Sequence, residues 1–282
     1  MKKYCYLNGK IVETAKASVA INDLSVLRGY GVFDFLKTVN GKLFLWKEHW
    51  RRFQNSAKSL GLKVPVGEAE VKKIILVLLK KNLPRRQAGK YQEASVRLLL
   101  TGGQTPDGMT VAKPVFAILL EDIYYYPAKH FTHGAKVMTH EYQRFLPASK
   151  TTNYITAIRL AKEKKKAGAV EILFTYRGKI LECSTSNFFI VKEGKIITPK
   201  IDILYGTTRN VIMTLAKKAG YKVEEREMKV GELRTADEAF LTATNKDVMP
   251  IVQVDSRKIN RGKVGPVTKH LMTLFTEFVA GY

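Results

Sequence analysis

Several short stretches of this chain carry side chains whose types, taken together, match one chemistry. Lys150 lies in Pro147-Ala148-Ser149-Lys150-Thr151-Thr152-Asn153-Tyr154, and Glu182 in Gly178-Lys179-Ile180-Leu181-Glu182-Cys183-Ser184. Gly206-Thr207-Thr208-Arg209 opens an expected helix, and Thr242-Ala243-Thr244-Asn245 closes an expected strand. A lysine amine forms an imine with an aldehyde once burial or nearby positive charge lowers its pKa. A carboxylate keeps a pyridine nitrogen protonated, and a hydroxyl-flanked helix N-terminus takes a phosphate dianion. Those are the parts needed to hold pyridoxal phosphate.

Singly, each part has a plainer explanation. Lys150, after a Pro-Ala-Ser turn, reads by position as a surface-turn lysine. Thr207 and Thr208 read equally as N-capping hydroxyls. Thr244 fits a polar loop, and Glu182 simply ends a short strand. His130 and His133 have i, i+3 spacing without carboxylate support, so they read as surface histidines and no metal is expected. Cys183 has no base partner and reads as a packed cysteine. His49 is expected to support the helix that carries Arg52.

The elements that must position these residues follow an α+β order. Asn8-Gly9 and Asn40-Gly41 each separate two apolar runs, the strongest short hairpin signal. Helical patterns cover 47–60 and 67–81, stopped by Gly61 and Pro84. Strands are expected at 94–101 and 115–120, on either side of a turn at Gly102-Gly103-Gln104-Thr105-Pro106-Asp107-Gly108. A linker at 122–134 divides an N-terminal domain, 1–121, from a C-terminal domain, 135–282. The second domain is expected to hold helices at 153–167, 207–219 and 266–280, with strands between them. Gly220 is placed as a helix stop.

Composition narrows the class. At 282 residues, 45% hydrophobic and 26% charged, the chain suits one large or two modest domains of a globular protein. The longest apolar run, 74–79, is too short to span a bilayer. No apolar stretch follows Met1-Lys2-Lys3, so no signal peptide is expected. Cys5 and Cys183 form no disulfide framework, which makes the cytoplasm the default location. The net charge of +23 raises the reading of a basic nucleic-acid-binding protein. Its lysines and arginines are spread along helices, in Lys72-Lys73, Lys80-Lys81, Arg85-Arg86 and Lys162 with Lys164-Lys165-Lys166. No helix-turn-helix, RNA-recognition or zinc pattern accompanies them. Solvated helix faces are the plainer account, so neither nucleic acid nor membrane is expected as a partner.

Order and spacing decide between the readings. The chain resembles the class IV, fold-type IV pyridoxal-phosphate aminotransferases along nearly its whole length. That family includes branched-chain and D-amino acid aminotransferases and aminodeoxychorismate lyases. The resemblance is carried by Gly31-Val32-Phe33, His49-Trp50-Arg51-Arg52-Phe53 and Leu181-Glu182-Cys183-Ser184-Thr185-Ser186-Asn187-Phe188-Phe189. It continues in Leu204-Tyr205-Gly206-Thr207-Thr208-Arg209, Ala236-Asp237-Glu238-Ala239-Phe240-Leu241-Thr242 and Gly262-Lys263-Val264-Gly265-Pro266-Val267-Thr268.

The resemblance implies an N-terminal α/β sandwich, a C-terminal pseudo-barrel with helices, and a homodimer with shared active sites. It makes Lys150 the imine-forming lysine and proton shuttle, and Glu182 the partner of the pyridine nitrogen. Arg52 would pair with the cofactor phosphate alongside Thr207, Thr208 and Thr244, and Tyr154 would reach the ring hydroxyl. The implied reaction is ping-pong transamination between an amino acid and a 2-oxo acid. Substrate would lie against Arg28, Tyr30, Phe33, Lys37, Arg97 and Ala243.

The branch within the family is less uniform. Lys37 resembles the D-amino acid enzymes, and so does Asn153, three residues after Lys150. The Arg-x-His carboxylate trap usual in that branch is absent near Gly102-Gly103-Gln104, and Ser95-Val96-Arg97 holds half of the branched-chain Tyr-x-Arg. Arg28 and Arg97 can replace the trap, as a less typical group of D-amino acid transaminases does, since a guanidinium binds carboxylate with two donors. Their plainer readings are a surface-loop arginine and a strand-edge ion pair. A D-amino acid transaminase is therefore favoured, ahead of a branched-chain L-amino acid transaminase and an aminodeoxychorismate lyase.

Overall fold

Two Asn-Gly pairs turn the chain where expected. Asn8 and Gly9, at φ 41° and 91°, join β1 (Tyr4–Leu7) to β2 (Lys10–Glu13). Asn40 and Gly41, at 51° and 72°, join β3 (Gly31–Val39) to β4 (Lys42–Leu43). Both residues tolerate positive φ, and the turn's twist suits the strands it connects. Between the hairpins lies a short helix, α1 (Leu24–Arg28), which puts Arg28 at a helix end and not in a loop. Asp23 caps it, accepting a hydrogen bond from Ser25 N at 2.7 Å.

The computed structural model describes residues 1–83 and 93–282. The helix stop expected at Pro84 and the basic pair Arg85-Arg86 lie outside the described residues. Two compact units emerge, one of Met1–Tyr124 with Ser149–Tyr154 and Tyr282, the other of Tyr125–Ala148 with Ile155–Gly281. Ser149–Tyr154 thus packs with the first unit, although in sequence it lies inside the second half.

The first unit adds α2 (Trp46–Ser59), α3 (Glu68–Asn82), β5 (Ser95–Gln104) and β6 (Lys113–Glu121). Its antiparallel sheet runs β2-β1-β6-β5-β3-β4. Helix α2 buries Trp46, His49, Trp50, Phe53 and Ala57, a single stripe at helical spacing. That stripe meets Leu36, Leu98 and Phe116 in the unit's core. The turn expected from Gly102 is displaced, because β5 continues through Gly102 and Gly103 to Gln104. At Gly103 (φ 76°) a Cβ would lie 1.6 Å from the Lys113 carbonyl oxygen. Glycine here admits a close strand and does not end one.

The second unit contains α4 (Lys129–Thr132), β7 (Ala135–Glu141), α5 (Ile155–Arg159), α6 (Ala161–Lys166), β8 (Glu171–Tyr176), β9 (Lys179–Cys183), β10 (Asn187–Lys192) and β11 (Lys195–Thr198). It continues with α7 (Thr207–Lys218), β12 (Val223–Glu225), β13 (Met228–Lys229), β14 (Glu238–Ala243), β15 (Asp247–Val254), β16 (Arg257–Lys258) and α8 (Pro266–Ala280). The strands form a curled half-barrel in the order β12-β11-β10-β14-β15-β7-β8-β9-β13, with β16 paired to β15. Helix α7 makes the crossover between the parallel strands β11 and β12. The molecule is thus α+β.

The single helix expected at 153–167 is two shorter ones. Thr151 bridges to Val32, and Thr152 N donates to Gly31 O at 2.9 Å, so no helix begins until Ile155. Leu160 then leaves helical geometry at φ −86°, ψ 3° and is buried with Ile172, Phe174, Leu181 and Ile203. Tertiary burial outweighs helix propensity at that residue. Among the described residues no helix is long and apolar enough to cross a membrane.

Candidate active site

In the first unit, Lys150 is fixed by its main chain. Its N–H donates to Ser56 Oγ at 3.0 Å, and its carbonyl accepts from Phe33 N at 2.9 Å. Ser149 Oγ lies 2.7 Å from Ser59 Oγ, a second tie to α2. With the backbone held, the half-buried amine rests 4.6 Å from the centroid of the Phe33 ring. Arg52 is one turn before Ser56, so the helix face that anchors Lys150 also carries Arg52.

Arg52 is itself oriented from below. Its Nε and Nη2 donate to the two carboxylate oxygens of Asp34, each at 2.8 Å. His49 Nδ1 lies 2.7 Å from Asp34 Oδ1. Asp34 is fully buried in β3, in phase with Val32 and Leu36. Burial alone would raise its pKa, but Arg52 and His49 outweigh that and hold it well below the usual carboxylate range. Burial pushes His49 down, so its ring is neutral near pH 7 and donates its Nδ1 proton to a carboxylate that can only accept. The sequence reading gave Asp34 no role. A charged residue at an apolar position of an alternating strand was the available signal.

Removing Asp34 leaves the Arg52 charge without its buried partner. Asp34→Ala is expected to cost about 3–5 kcal/mol, the range for breaking a buried pair from one side. The sign with pH follows from the lowered pKa. Asp34 contributes fully above the usual carboxylate range, and that contribution is lost as pH falls through the lowered value. Urea midpoints measured from pH 7 to pH 3 should therefore fall less steeply in Asp34→Asn than in wild type; parallel curves would contradict this.

The neighbouring residues divide by role. Phe33 is buried and lies 5.7 Å from the Tyr154 ring. The Tyr30 hydroxyl donates to the Leu60 carbonyl, tying it to the end of α2. Lys37 sits 5.9 Å over Phe44, and Arg28 is exposed. Arg97 stacks on Phe33 and Phe35, at 5.1 and 5.0 Å, so it shares the Phe33 ring with Lys150. Its Nε and Nη2 also bind Glu121, at 2.5 and 3.2 Å. The strand-edge ion pair is therefore present.

In the second unit, Glu182 is held at both oxygens. Oε1 accepts from Arg144 Nη1 at 2.8 Å, and Oε2 from Leu204 N at 3.0 Å. The side chains of Arg144 and Glu182 are 10% and 6% exposed. An ionised carboxylate has about four acceptor sites, which leaves capacity for a pyridinium N–H. Arg144 had no part in the sequence reading, and only its charge close before Lys150 in sequence hinted at one. The Leu204 carbonyl accepts from Asn187 Nδ2 at 2.7 Å, and Gly206 follows as the N-cap of α7. A Cβ at Gly206 would lie 2.1 Å from Asn187 Oδ1, so this turn requires glycine. One turn thus joins Glu182 to the start of α7.

That start suits a phosphate. Its N-cap residue, Gly206, has no side chain to cap it, and Thr207 and Thr208 are buried there. Helix α7 packs against β14, whose end carries half-buried Ala243 and, next to it, Thr244. Thr242 Oγ1 is buried without a hydrogen-bond partner, a donor left for an acceptor such as a phosphate oxygen. Buried carboxylate, a helix start opened by glycine with two buried threonines, and orphaned hydroxyl together fit pyridoxal phosphate. No group of three or more metal-ligating side chains converges among the described residues; His130 faces the Tyr126 ring, and His133 Nδ1 lies 2.9 Å from Thr132 Oγ1.

The sequence over residues 31–254 matches the family model for class IV aminotransferases. A Methanocaldococcus jannaschii protein provisionally named a branched-chain-amino-acid aminotransferase is 33% identical, over 96% of this chain and 95% of its own length. The D-alanine aminotransferase of Listeria monocytogenes is 30% identical, over 96% and 94%. Among solved structures, the branched-chain aminotransferase of the archaeon Thermoproteus uzoniensis, with norvaline, superposes with a TM-score of 0.87. It is 26% identical, and the match covers 100% of this chain and 96% of that one.

Proposed function

The chain belongs to the class IV aminotransferases, which use pyridoxal phosphate, and from that premise we propose a D-amino acid transaminase that works as a homodimer. When bound, the cofactor supplies an aldehyde that captures amines and a ring that takes up electron density. Lys150 Nζ holds the resting cofactor, takes the proton from the donor's Cα and returns one to the acceptor's. Glu182 keeps the proton on the ring nitrogen, and Arg144 holds the Glu182 carboxylate in place. Arg52, Thr207, Thr208 and Thr244 bind the phosphate, and Tyr154 donates to the ring hydroxyl. Arg28, Tyr30, Phe33, Lys37, Arg97 and Ala243 contact substrate, the two arginines taking its carboxylate.

The observation that carries the transaminase reading is the buried Glu182, held by Arg144 and joined through Leu204 to the start of α7. The choice of D-amino acids is supported by Lys37 and by the Lys150-to-Asn153 spacing. Branched-chain L-amino acids are the second reading, favoured by the name of the Methanocaldococcus relative and by the Thermoproteus structure. Mixing the holoenzyme separately with D- and L-alanine, glutamate and leucine, and following its visible band, separates the two. Bleaching is expected with D-alanine or D-glutamate. Bleaching by L-leucine alone would establish the second reading instead.

A further inference from the structure

Beside the turn that follows Glu182 lies a buried ion pair with no part in the chemistry above. Lys246 Nζ is 3.0 Å from Glu171 Oε1, and both side chains are 2% exposed. Glu171, at the start of β8, also accepts the hydroxyls of Ser184, Thr185 and Ser186. Lys246 donates to Thr185 Oγ1 at 2.8 Å and faces Tyr126. Burial would raise the Glu171 pKa, but Lys246, Ser184 and Thr185 outweigh it and hold the group at about 2. Burial would lower the Lys246 pKa, but Glu171 outweighs it and raises it.

Stability alone is a weak reason for such a pair. Desolvating two charges cancels much of their attraction, and an apolar replacement is often as stable; fixing a register is the better-attested use. Register is what this pair sits beside. Strands β10 and β14 pair as far as Asn187 opposite Thr242, where the ladder ends. Beyond that point Ser184–Ser186 forms the turn from β9, and Thr244–Lys246 the turn into β15. Lys246, Glu171 and Thr185 join these turns. Glu182 lies two residues before the first, and Thr244 two residues before Lys246.

We propose that Lys246 and Glu171 are positioning residues that set the spacing between Glu182, at the ring-nitrogen end of bound pyridoxal phosphate, and Thr244, at its phosphate end. The inference rests on the roles assigned to Glu182 and Thr244 above. Loss of the tether leaves both groups in place but free to drift apart, so cofactor affinity falls before chemistry does. Supporting contacts of this kind typically change affinity by about 10–100-fold.

Lys246→Met alone strands the Glu171 charge in the interior and destabilises the fold, so the informative variant is Glu171→Gln/Lys246→Met, which removes both charges at similar volume. Apoprotein is titrated with pyridoxal phosphate by tryptophan fluorescence, and its thermal midpoint is measured in parallel. The expected result is a midpoint close to wild type, cofactor affinity about tenfold weaker or more, and recovery of most affinity in Lys246→Arg. Wild-type affinity in the double variant overturns the proposal. Loss of affinity matched by a collapsed midpoint, with no recovery in Lys246→Arg, overturns it too. Thr208→Ala and Thr244→Ala separate the two levels. Unchanged affinity in both moves the phosphate site elsewhere and removes the premise, whereas weakened binding there with an unaffected double variant removes the tether alone.

Discussion

Replacing Lys150 with alanine is expected to end transamination while leaving the protein folded and able to bind pyridoxal phosphate. Losing the proton carrier alone lowers kcat by about 10²–10⁴-fold. Two of the contacts that hold residue 150 are main-chain ones, to Ser56 Oγ and Phe33 N, and they survive truncation of the side chain. The defect should therefore be chemical. Borohydride should fix the cofactor covalently to wild type and not to Lys150→Ala, as read by intact mass. A small primary amine added to the buffer should restore part of the rate, because it supplies the missing base. Lys150→Arg keeps the positive charge and lacks the nucleophilic amine, so it should be as inactive as alanine. A variant that kept more than a tenth of wild-type kcat would remove Lys150 from the reaction.

Glu182→Gln is expected to lower kcat by about 10²–10³-fold, the cost of losing one preorganised electrostatic contact to developing charge. A neutral amide cannot stabilise a protonated ring nitrogen, so the electron-accepting power of the ring falls. Substrate KM should change far less than kcat. The substitution has a second consequence, because Arg144 loses its ionised partner at a nearly buried site. Breaking such a pair from one side costs about 3–5 kcal/mol of stability. Glu182→Gln/Arg144→Met, which removes both charges, should regain most of that stability and none of the activity. If the double variant regained activity, the loss in Glu182→Gln would have been structural, and the ring-nitrogen role would fall.

Much of the fold was legible wherever a local rule had no competitor. The two Asn-Gly hairpins formed because their residues accept positive φ whatever surrounds them. Helix α8 begins at Pro266, where proline's missing N–H is harmless at the first helical position. The rule failed where distant residues competed with it. Thr152 reaches Gly31 and Leu160 reaches Phe174, and those contacts shortened and divided the helix expected at 153–167. Gly102 and Gly103 looked like punctuation, yet they serve a sheet that passes too close to Lys113 for a side chain.

The chemistry shows the same division. Lys150, Glu182, Thr207, Thr208 and Thr244 stood out by residue type, order and spacing, because reactive groups are properties of single side chains. Sequence alone thus determined the class of chemistry, the α+β character and the residues proposed to touch the cofactor. Only the tertiary structure revealed what holds them. Asp34 beneath Arg52, Arg144 against Glu182, and Glu171 with Lys246 are pairs 18, 38 and 75 residues apart, brought together by strand register and helix packing. The same is true of Arg97, whose Glu121 partner comes from the neighbouring strand. A charge written in the sequence carries no record of its counter-ion, because the energy of an ion pair depends on separation and burial in space. Those two quantities exist only after the chain has folded.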